Sequence, residues 1–577
     1  MPNIATRWRG LPALAVLLGG AALAGCQSRT SVSATGNTAA QFTHVFLTIN
    51  QIWFNTSSTA AATDASWIKF PLSTPYTVDL ATLNNGTLSQ FASDLKLSAG
   101  TYGQVMIILA DSTDPLTSSA SSAGAATNDE VDYLDTSEVA HTVPLAIFNA
   151  AQGISISTGL TVAAASSSIG GNSTSSSGVI GTSTAATSSA ATTSTSSSPV
   201  VTTTSAIVDF DATRDLVPIS LSGQPAFALN PHPQSYDVKY SGTIAGAVSL
   251  SNVSTLTIAG VPDVQVSAEA LSSDGTRHVI VETTRVGSDG TFDLYPLSTA
   301  SGAPTSYDLV IHGPTIQTVI VKSVPVTNSA PGSAAAVLGT LTLTTATPYL
   351  VNFNTSTPAV PSSSVVGFYQ TLPLSSEVPY LVEMRAVDPI SGVFATDQEL
   401  SSGALQYGTY VAGGTISLTT ANPSQGAATY SIGAINPSYG TATLGSTVSA
   451  PASTTITQLF TMTAPPVPTG TAANSIQGTV SLQSSAYDNA ELFLTYNGAL
   501  VASAALTGYL NGSQGTLSLN AVAPGGSSST TYAPGVYNAE VWAWNSANPT
   551  GTLVRVPYAN TINMSAGNAT GVTLSIP

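Results

Sequence analysis

Asp129, Glu130, Asp132 and Asp135 form a group of carboxylates whose residue types suit a metal ion. Calcium prefers hard oxygen ligands, and carboxylates at such short spacing can supply several of them. The segment therefore has two interpretations, a calcium site and a solvated acidic loop. The second interpretation is favoured by the serine and alanine residues that flank the group.

Asp209, Asp211 and Asp215 form a second acidic group. This segment lacks the glycine and the terminal glutamate that an EF-hand calcium loop requires. We therefore expect a structural role for Asp209 rather than a metal site.

The five histidines are scattered along the chain, and no two of them are four residues apart. They are His44, His141, His232, His278 and His312. The sequence has no H-E-x-x-H zinc motif, no phosphate-binding glycine loop and no G-x-S-x-G nucleophile elbow. We therefore expect no cofactor and no enzymatic activity.

Trp542 and Trp544 alternate with Val541 and Ala543, which is the pattern of one strand with two different faces. If the two tryptophans face solvent, they can stack on a sugar as a ligand-binding platform. If they instead fill a sandwich core, Val541 and Ala543 face outwards. The second arrangement is favoured, because large aromatic side chains are usually buried.

Cys26 is the only cysteine, and it follows an apolar stretch at 11–23 that is preceded by Arg7 and Arg9. A basic start, an apolar run and small residues at the end are typical of a secretory signal peptide. A transmembrane helix is the alternative, but the run is shorter than the roughly 20 residues needed to cross a bilayer. Residues 1–25 are therefore predicted to be a leader.

The ending Leu23-Ala24-Gly25-Cys26 resembles the lipobox of bacterial lipoproteins. This resemblance implies cleavage before Cys26, a lipid such as palmitate on the protein, and attachment to the membrane through Cys26. Gln27 stands where an aspartate would resemble the signal for retention in the inner membrane. The resemblance therefore implies the outer membrane, on either its periplasmic or its surface face.

The composition limits the possible partners. The chain has 12 Lys and Arg against 29 Asp and Glu, for a formal charge of −17. Nucleic acid is an unsuitable partner, because phosphate binding needs clustered cations. With Cys26 lipidated, no disulfide can form, so the domains must be held by their cores. The mature length is too great for one core and predicts several domains.

Short segments with period-two alternation, separated by glycine and proline, predict an all-β fold of several antiparallel sandwiches in tandem after the signal peptide. One short helix is predicted over 88–97, because Leu88, Phe91, Ala92 and Leu95 fall on one helical face. We expect a flexible tether at 26–40 and a first β domain at 41–237. Within it, the Ser/Thr-rich insert at 163–206 has too few apolar residues to fold.

Three later units, at 240–350, 365–463 and 474–577, are predicted from a repeated opening strand. The openings are at 244–248, 365–368 and 476–480, and stretches rich in proline and serine near 353–364 and 464–473 indicate linkers. The middle unit is the most divergent. We expect the units to be arranged like beads.

The first and last of these units are similar to the carboxypeptidase regulatory-like domain, a transthyretin-like seven-stranded sandwich. The resemblance rests on 246–248, 260–266, 288–292 and 533–541. It implies domains that act as spacers or stabilisers, some relatives of which bind sugars.

The first domain resembles the family called domain of unknown function 4382, which occurs in bacterial lipoproteins. The residues concerned are 78–80, 83–86, 97–102, 208–211 and 229–231. The resemblance implies a β-sandwich on a surface lipoprotein, and it carries no catalytic residues.

These features together predict a non-enzymatic, lipid-anchored protein of the cell envelope that serves structural display or binds a partner, such as a surface protein or a glycan. The alternative is a carbohydrate-binding adhesin or a component of a polysaccharide-processing assembly. Solvent-exposed paired tryptophans would favour that alternative.

Overall fold

The computed structural model describes residues 28–577 apart from several internal positions. The positions outside the description are 61, 63, 113, 136, 148–152, 165–202, 222–223, 250–256, 259–260, 335, 355–364, 388–394, 422–428, 436–446, 450–455, 458–474, 497–498, 521–535, 546, 548–553 and 566.

The first sandwich packs a four-stranded sheet, in the order β12-β9-β1-β4, against a larger sheet in the order β10-β11-β7-β6-β2-β5-β8, with β3 paired on β2. Its strands are β1 (Ser28–Asn37), β2 (Phe42–Asn55), β3 (Ile68–Asp79), β4 (Ser89–Leu97), β5 (Gly100–Leu109), β6 (Glu130–Leu134), β7 (Ala140–Ile147), β8 (Ile154–Val162), β9 (Thr203–Asp211), β10 (Leu216–Leu221), β11 (Gln224–Leu229) and β12 (Gln234–Asp237). Alternating apolar side chains such as Val32, Phe54 and Phe210 meet in one core between the sheets.

Helices are short wherever the structure describes the chain. The α-helices are α1 (Ser118–Ala123) and α2 (Ala212–Asp215), and the 3₁₀ turns are Leu80–Thr82, Val238–Tyr240 and Thr507–Tyr509. Within the described residues, no helix has the length and apolar character that crossing a bilayer requires.

The tether expected at 26–40 is instead a structural strand from Ser28 onwards. β1 lies between β4, to which it is antiparallel, and β9, to which it is parallel. Val32 and Ala34 are fully buried in the core. The prediction was wrong because half of the strand is serine and threonine, whose backbone groups pair in the sheet while few apolar side chains mark its inner face.

The helix predicted over 88–97 is the strand β4. Between the pairs Thr30 with Leu95 and Val32 with Ala92, the register shifts by one residue, and Asp94 has a φ of 55°. Such a bulge puts an extra residue into one strand and changes the phase of the alternation. The apolar residues on either side of the bulge therefore imitate a helical period.

Three further sandwiches follow. The second consists of β13 (Ser241–Ser249), β14 (Thr257–Ile258), β15 (Val261–Pro262), β16 (Gln265–Leu271), β17 (His278–Arg285), β18 (Thr291–Ser298), β19 (Ser306–His312), β20 (Val319–Pro325) and β21 (Ala336–Thr342). The third consists of β22 (Pro348–Asn354), β23 (Val365–Gln370), β24 (Tyr380–Ala386), β25 (Ala395–Ser401), β26 (Gln406–Thr409), β27 (Thr419–Thr420), β28 (Thr429–Ile435), β29 (Thr447–Ser449) and β30 (Ile456–Thr457). The fourth consists of β31 (Ser475–Leu482), β32 (Asn489–Tyr496), β33 (Ala499–Ala505), β34 (Leu510–Asn511), β35 (Gln514–Asn520), β36 (Val536–Trp544), β37 (Val554–Pro557), β38 (Ile562–Asn563) and β39 (Ala569–Ile576).

These three sandwiches share one topology. In each, the first strand is central in one sheet, antiparallel to the fourth main strand and parallel to the last. The corresponding sheets are β18-β13-β21, β25-β22-β30 and β35-β31-β39. The facing sheets, β17-β16-β19-β20, β24-β23-β28-β29 and β33-β32-β36-β37, have the same order of strands. The repeat predicted from the opening strands is therefore present as three copies of one seven-stranded plan.

The third copy begins earlier than the sequence analysis predicted. Its opening strand is β22, at Pro348–Asn354, so the segment at 365–368 belongs to the second strand, β23. The predicted boundary between the second and third sandwiches, placed between 350 and 365, is therefore incorrect. The prolines and serines near 353–364 connect two strands of one sandwich. Residues 355–364 and 464–473 themselves lie outside the described residues, as does the Ser/Thr-rich insert from 165 to 202. Residues 203–206 are part of β9.

The sandwiches are not separate beads. β26 and β27, from the third sandwich, extend a sheet of the second, where β26 runs parallel to β20. Apolar side chains pack across the same boundary, among them Val310 and Ile320 from the second sandwich and Tyr380 from the third. The second and third sandwiches therefore share both a sheet and a core cluster.

The role of β1 can be tested by replacing Val32. Val32→Ser is expected to lower the free energy of unfolding of the first sandwich by about 2–3 kcal/mol, because it removes buried methyl groups and buries an unpaired hydroxyl. Urea unfolding followed by fluorescence measures the change. Ser33→Ala, on the other face of the strand, should shift the transition little. Equal unfolding transitions for the two variants would contradict the burial of Val32 and would support the original interpretation of this segment as a tether.

Candidate functional site

The four carboxylates considered for calcium have separate local partners. Asp129 is fully buried, and its Oδ1 accepts a hydrogen bond from the Thr48 N–H at 2.9 Å. Burial raises the pKa of Asp129 well above its ordinary value. The Glu130 carboxylate accepts the N–H groups of Ala126 and Thr127, each at 3.0 Å. These two neighbours therefore brace the chain that enters β6.

The other two members of the group face different surroundings. Asp132 pairs with His44 across β2 and β6, and one of its oxygens is buried without a hydrogen bond. Asp135 lies in the turn after β6, where it accepts the Val139 N–H at 2.9 Å and contacts His141 Nε2 at 2.9 Å. In the part of the chain that is described, no set of three or more His, Cys, Asp or Glu side chains is arranged to hold a metal ion. The calcium interpretation gains no support from this geometry.

The tryptophan strand has both of its faces buried. Val541 and Ala543 belong to the core of the fourth sandwich. Trp542 points away from that core yet is 0% exposed, with its ring 4.8 Å from that of Phe493. Trp544 is half-buried beside the same cluster. The two arrangements considered from the sequence are therefore both incorrect: the tryptophans lie outside their own core, and other sandwiches cover Trp542.

Trp542 occupies a junction of three sheets, which we call the three-sheet junction. It joins the outer faces of β7, β10 and β11 in the first sandwich, β23 and β24 in the third, and β32 and β36 in the fourth. Its buried residues are Ala146, Val217, Ile219, Ala226, Ala228, Val365, Ala386, Phe493 and Trp542. Sheet faces that would be solvated in an isolated sandwich are apolar here, because each is covered by another sandwich.

A buried ion pair lies at the edge of the three-sheet junction. Arg555 Nη1 of the fourth sandwich contacts Asp111 Oδ2 of the first at 2.5 Å. The guanidinium carbon of Arg555 also lies 4.0 Å from the centre of the Trp542 ring, which is cation–π geometry. The Arg555 side chain is only 4% exposed. The ion pair with Asp111 therefore joins the fourth sandwich to the first, while the contact with Trp542, in the neighbouring strand of the same sandwich, orients the Arg555 side chain.

The first and second sandwiches meet at a pair of carboxyl groups. Asp209 of β9 and Glu282 of β17 are both buried and hydrogen-bond to each other. Desolvation by burial, together with nearby Asp211, raises the pKa of Asp209 from 3.8 to about 7. Burial raises the pKa of Glu282 further above its ordinary range, so Glu282 holds the proton and donates it to Asp209. The carboxyl pair thus binds one proton between two domains.

An ion-pair triad adjoins the carboxyl pair. The Arg214 guanidinium donates from Nε to Asp215 Oδ1 at 2.6 Å and from Nη2 to Oδ2 at 3.0 Å. The backbone N–H of His232 donates to the same carboxylate at 2.9 Å. Burial alone would raise the pKa of Asp215, but Arg214 and His232 outweigh it and lower the pKa to about 2. Asp215 therefore stays ionised in the interior.

A small pocket of about 200 Å³ opens where the first three sandwiches meet. Arg214 and His232 line one side of it, and aliphatic side chains from the second and third sandwiches form the rest. These are Val279, Ile280, Val365, Leu381, Met384 and Ile435. Arg385, from the third sandwich, donates to the Thr213 carbonyl at 3.2 Å. The pocket is thus bounded by the contacts that join the domains.

The second and third sandwiches are joined by a further polar cluster. The rings of His278 and Tyr380 stack with their centres 4.0 Å apart. The Tyr380 hydroxyl donates to Asp308 Oδ2 at 2.9 Å and lies 3.3 Å from Glu377 Oε2. Lys322 forms an ion pair with Glu377. This cluster, like the others, lies between domains.

The sequence analysis did not identify the interdomain roles of Arg214, Glu282, Arg385 and Arg555. One signal was available: basic residues are scarce in this chain, with 12 in total. In a chain with so few basic residues, each arginine is a candidate partner for a buried carboxylate. The identity of that partner depends on how the domains pack, which local patterns do not contain.

Comparison with known proteins identifies only the first sandwich. Residues 27–231 match the family model described as Domain of unknown function (DUF4382). This match confirms the resemblance stated for the first domain. No protein in the curated set matches the chain.

Two solved structures show distant similarity. One is described as "The Bacillus anthracis TIE protein", with 8% identity over 95% of this chain and 73% of that chain and a TM-score of 0.13. The other is described as "Structure of the Streptococcal ancillary pilin", with 12% identity over 58% of this chain and 98% of that chain and a TM-score of 0.11. TM-scores this low do not show a shared arrangement.

The carboxyl pair predicts a pH-dependent domain junction. The folded pKa of Asp209 lies above its ordinary value, so the folded state binds the proton more tightly than the unfolded chain does. Stability from this group is therefore complete below about pH 4 and falls, by roughly 2–4 kcal/mol, as the pH rises to about 7. Asp209→Asn should flatten this part of the profile in thermal unfolding of the purified protein.

The control for this experiment is Asp94→Asn, which changes an exposed aspartate on β4, a strand of the same sheet as β9. Its profile should retain the fall in stability between pH 4 and 7. A profile that is the same for wild type and Asp209→Asn would show that the carboxyl pair does not titrate in this range.

Trp542 is expected to contribute to domain packing. Trp542→Ala should lower stability by about 3–5 kcal/mol, because it leaves a cavity in the three-sheet junction. Trp544→Ala, at a half-buried position in the same strand, should have a smaller effect. Thermal unfolding measures both. An unchanged melting temperature for Trp542→Ala would mean that its side chain is accessible and available to a ligand.

Proposed function

We propose that this chain is a non-enzymatic, lipid-anchored protein of the cell envelope that displays a multi-domain structure or binds a partner. One observation carries the proposal. The first described strand, β1, begins at Ser28, two residues after Cys26, where the L-A-G-C motif ends. If residues 1–25 were not cleaved, their apolar run would stay attached close to the start of the first described strand. Cys26 itself lies outside the described residues.

The arrangement of the domains supports a structural role. Two sets of buried charged or acidic groups lie between sandwiches, namely Arg555 with Asp111 and Asp209 with Glu282. These groups hold domains in fixed relation to one another. The later sandwiches resemble carboxypeptidase regulatory-like domains, for which spacer or stabilising roles are usual, and this resemblance points in the same direction.

The proposed location is the outer membrane. Gln27, rather than aspartate, follows Cys26, and by the lipoprotein resemblance this residue permits transport away from the inner membrane. The partner on either face would be a surface protein or a glycan.

The carbohydrate-binding alternative loses the feature that favoured it. A sugar platform needs aromatic faces in solvent, and Trp542 is enclosed by three sandwiches. Trp53 and Trp67 are also buried, in a small cluster at the side of the first sandwich. A glycan is therefore kept in the proposal only as one of the two classes of partner.

The anchor is tested by fractionating cells that express wild type, Cys26→Ser and Gln27→Asp. Wild type should appear in the outer membrane and take up radiolabelled palmitate. Cys26→Ser should be unlabelled and soluble, since it has no thiol to receive lipid. Gln27→Asp is the matched control, because it should keep the label yet move to the inner membrane.

Circular dichroism of Cys26→Ser should show the same β content as wild type, because the changed residue precedes β1. A Cys26→Ser protein that stays in the membrane pellet would contradict the proposed anchor. Protease treatment of intact cells then distinguishes surface from periplasmic display.

A further inference from the structure

One end of the first sandwich lies next to the anchor position. Cys26 is two residues before Ser28, and two extended residues span no more than about 7 Å. Ser28 is already fixed in the fold, because it pairs with Leu97 of β4 and its hydroxyl donates to the Ala163 carbonyl. A lipid on Cys26 therefore holds this end of the sandwich at the membrane surface with almost no slack.

The strand register shows which segments share this end. Arg29 of β1 pairs with Lys96 of β4 and with Thr203 of β9. Gly100, at the start of β5, pairs with Val162 at the end of β8. The start of β1, the turn at 98–101, residues 162–164 and Thr203 thus form one surface, which we call the anchor-proximal end.

The side chains of the anchor-proximal end suit close approach to a flat surface. The turn at 98–101 is exposed and consists of serine, alanine, glycine and threonine, so no bulky group projects from it. The Tyr102 hydroxyl donates to the Ser98 carbonyl at 3.0 Å and holds the turn in place. Among the described residues, this surface is polar and lacks the large apolar side chains that would enter the hydrocarbon core.

Charge distribution favours the same orientation. Arg29 and Lys96 are exposed neighbours here, and Arg29 forms an exposed ion pair with Asp94 at 2.7 Å. The whole chain has a formal charge of −17. Because anionic lipids repel acidic surfaces and attract basic ones, the end without net negative charge meets the least repulsion.

Contacts with the third and fourth sandwiches, and one contact with the second, lie towards the opposite end. The second sandwich also packs beside the middle of β9 and β12, where Tyr295 meets Ile207 and Tyr236. The Ala39 carbonyl, beyond the end of β1, accepts Arg285 Nη1 of the second sandwich at 3.2 Å. The Thr213 carbonyl, beyond the end of β9, accepts the contact from the third sandwich, and Asp111, beyond the end of β5, binds Arg555 of the fourth. The ten residues of β1 separate the two ends by about 30 Å.

We propose that the anchor-proximal end is a membrane-contacting surface that rests on phospholipid headgroups, so that the first sandwich stands between the bilayer and the junctions with the third and fourth sandwiches. This inference rests on the proposed lipid anchor. The partner is a phospholipid surface containing anionic headgroups, and Lys96 is the basic side chain placed to meet them.

The test uses single cysteines in the full lipidated protein, where Cys26 is blocked by lipid. Ser98→Cys places a fluorescent probe in the exposed turn at the anchor-proximal end. Ser137→Cys is the matched control in the same sandwich, in the exposed turn between β6 and β7. That turn lies at the opposite end, since Leu134 hydrogen-bonds to Gln41 just before β2 begins, whereas β2 ends beside β5 near the anchor.

Both proteins are placed in vesicles of phosphatidylethanolamine and phosphatidylglycerol that contain a headgroup-labelled quenching lipid. Quenching at position 98 should exceed that at 137 by roughly fivefold, since the two ends differ by about 30 Å in distance along β1. Adding Lys96→Glu to Ser98→Cys should reduce quenching in these vesicles and leave it unchanged in vesicles of phosphatidylcholine alone.

Two controls separate the possible failures. Wild type should take up no thiol probe, and uptake of one probe per chain would mean that Cys26 is free, so that the anchor and the surface both fail. Equal quenching at 98 and 137 in a protein with a blocked Cys26 would overturn the membrane-contacting surface while leaving the anchor intact. An effect of Lys96→Glu that is the same in both kinds of vesicle would overturn the role given to Lys96.

Discussion

The burial of Trp542 against three sheets is the contact on which the arrangement of the domains depends. A tryptophan that projects from the outer face of a sandwich would be an exposed apolar patch in an isolated domain. Here β10 and β11 of the first sandwich and β23 and β24 of the third cover it, and Arg555 packs on its ring. The fourth sandwich is last in the chain but adjoins the first. The chain therefore folds back on itself.

The small number of basic residues is the second constraint. With so few basic residues, this chain places Arg214, Arg385 and Arg555 at domain boundaries, where each meets a carboxylate or a carbonyl group. The remaining interior acids cannot all find a cation, and the carboxyl pair of Asp209 and Glu282 is the result. Two carboxyl groups side by side are stable in a dry interface only when one keeps its proton. The boundary between the first two sandwiches thus becomes sensitive to proton concentration through composition alone.

The sequence predicts the fold class and the repeat because both depend on local alternation, which is strong in β16, β19 and β36. It does not predict β1, because that strand is fixed by long-range pairing with β9, more than 170 residues away in the register. The bulge at Asp94 has the opposite effect, since a local irregularity there imitates helical spacing. The site is harder to predict than the fold: Glu282, Arg385 and Arg555 acquire their roles only when domains meet.

The short separation between Cys26 and the start of β1 relates the domain junctions to the proposed anchor. A lipoprotein with a long flexible linker could present any face of its first domain to the membrane, and the positions of the other domains would be unrelated to the bilayer. Because β1 starts at Ser28, its direction shows which end of the sandwich is near Cys26 and which end is far from it. Asp111 and Thr213, which contact Arg555 and Arg385, lie beyond strand ends on the side away from that start. With the proposed lipid anchor, the carboxyl pair and the ion pair of Arg555 would lie on the side of the first sandwich away from the membrane. The length of a strand, rather than the length of a linker, would then set their distance from the membrane.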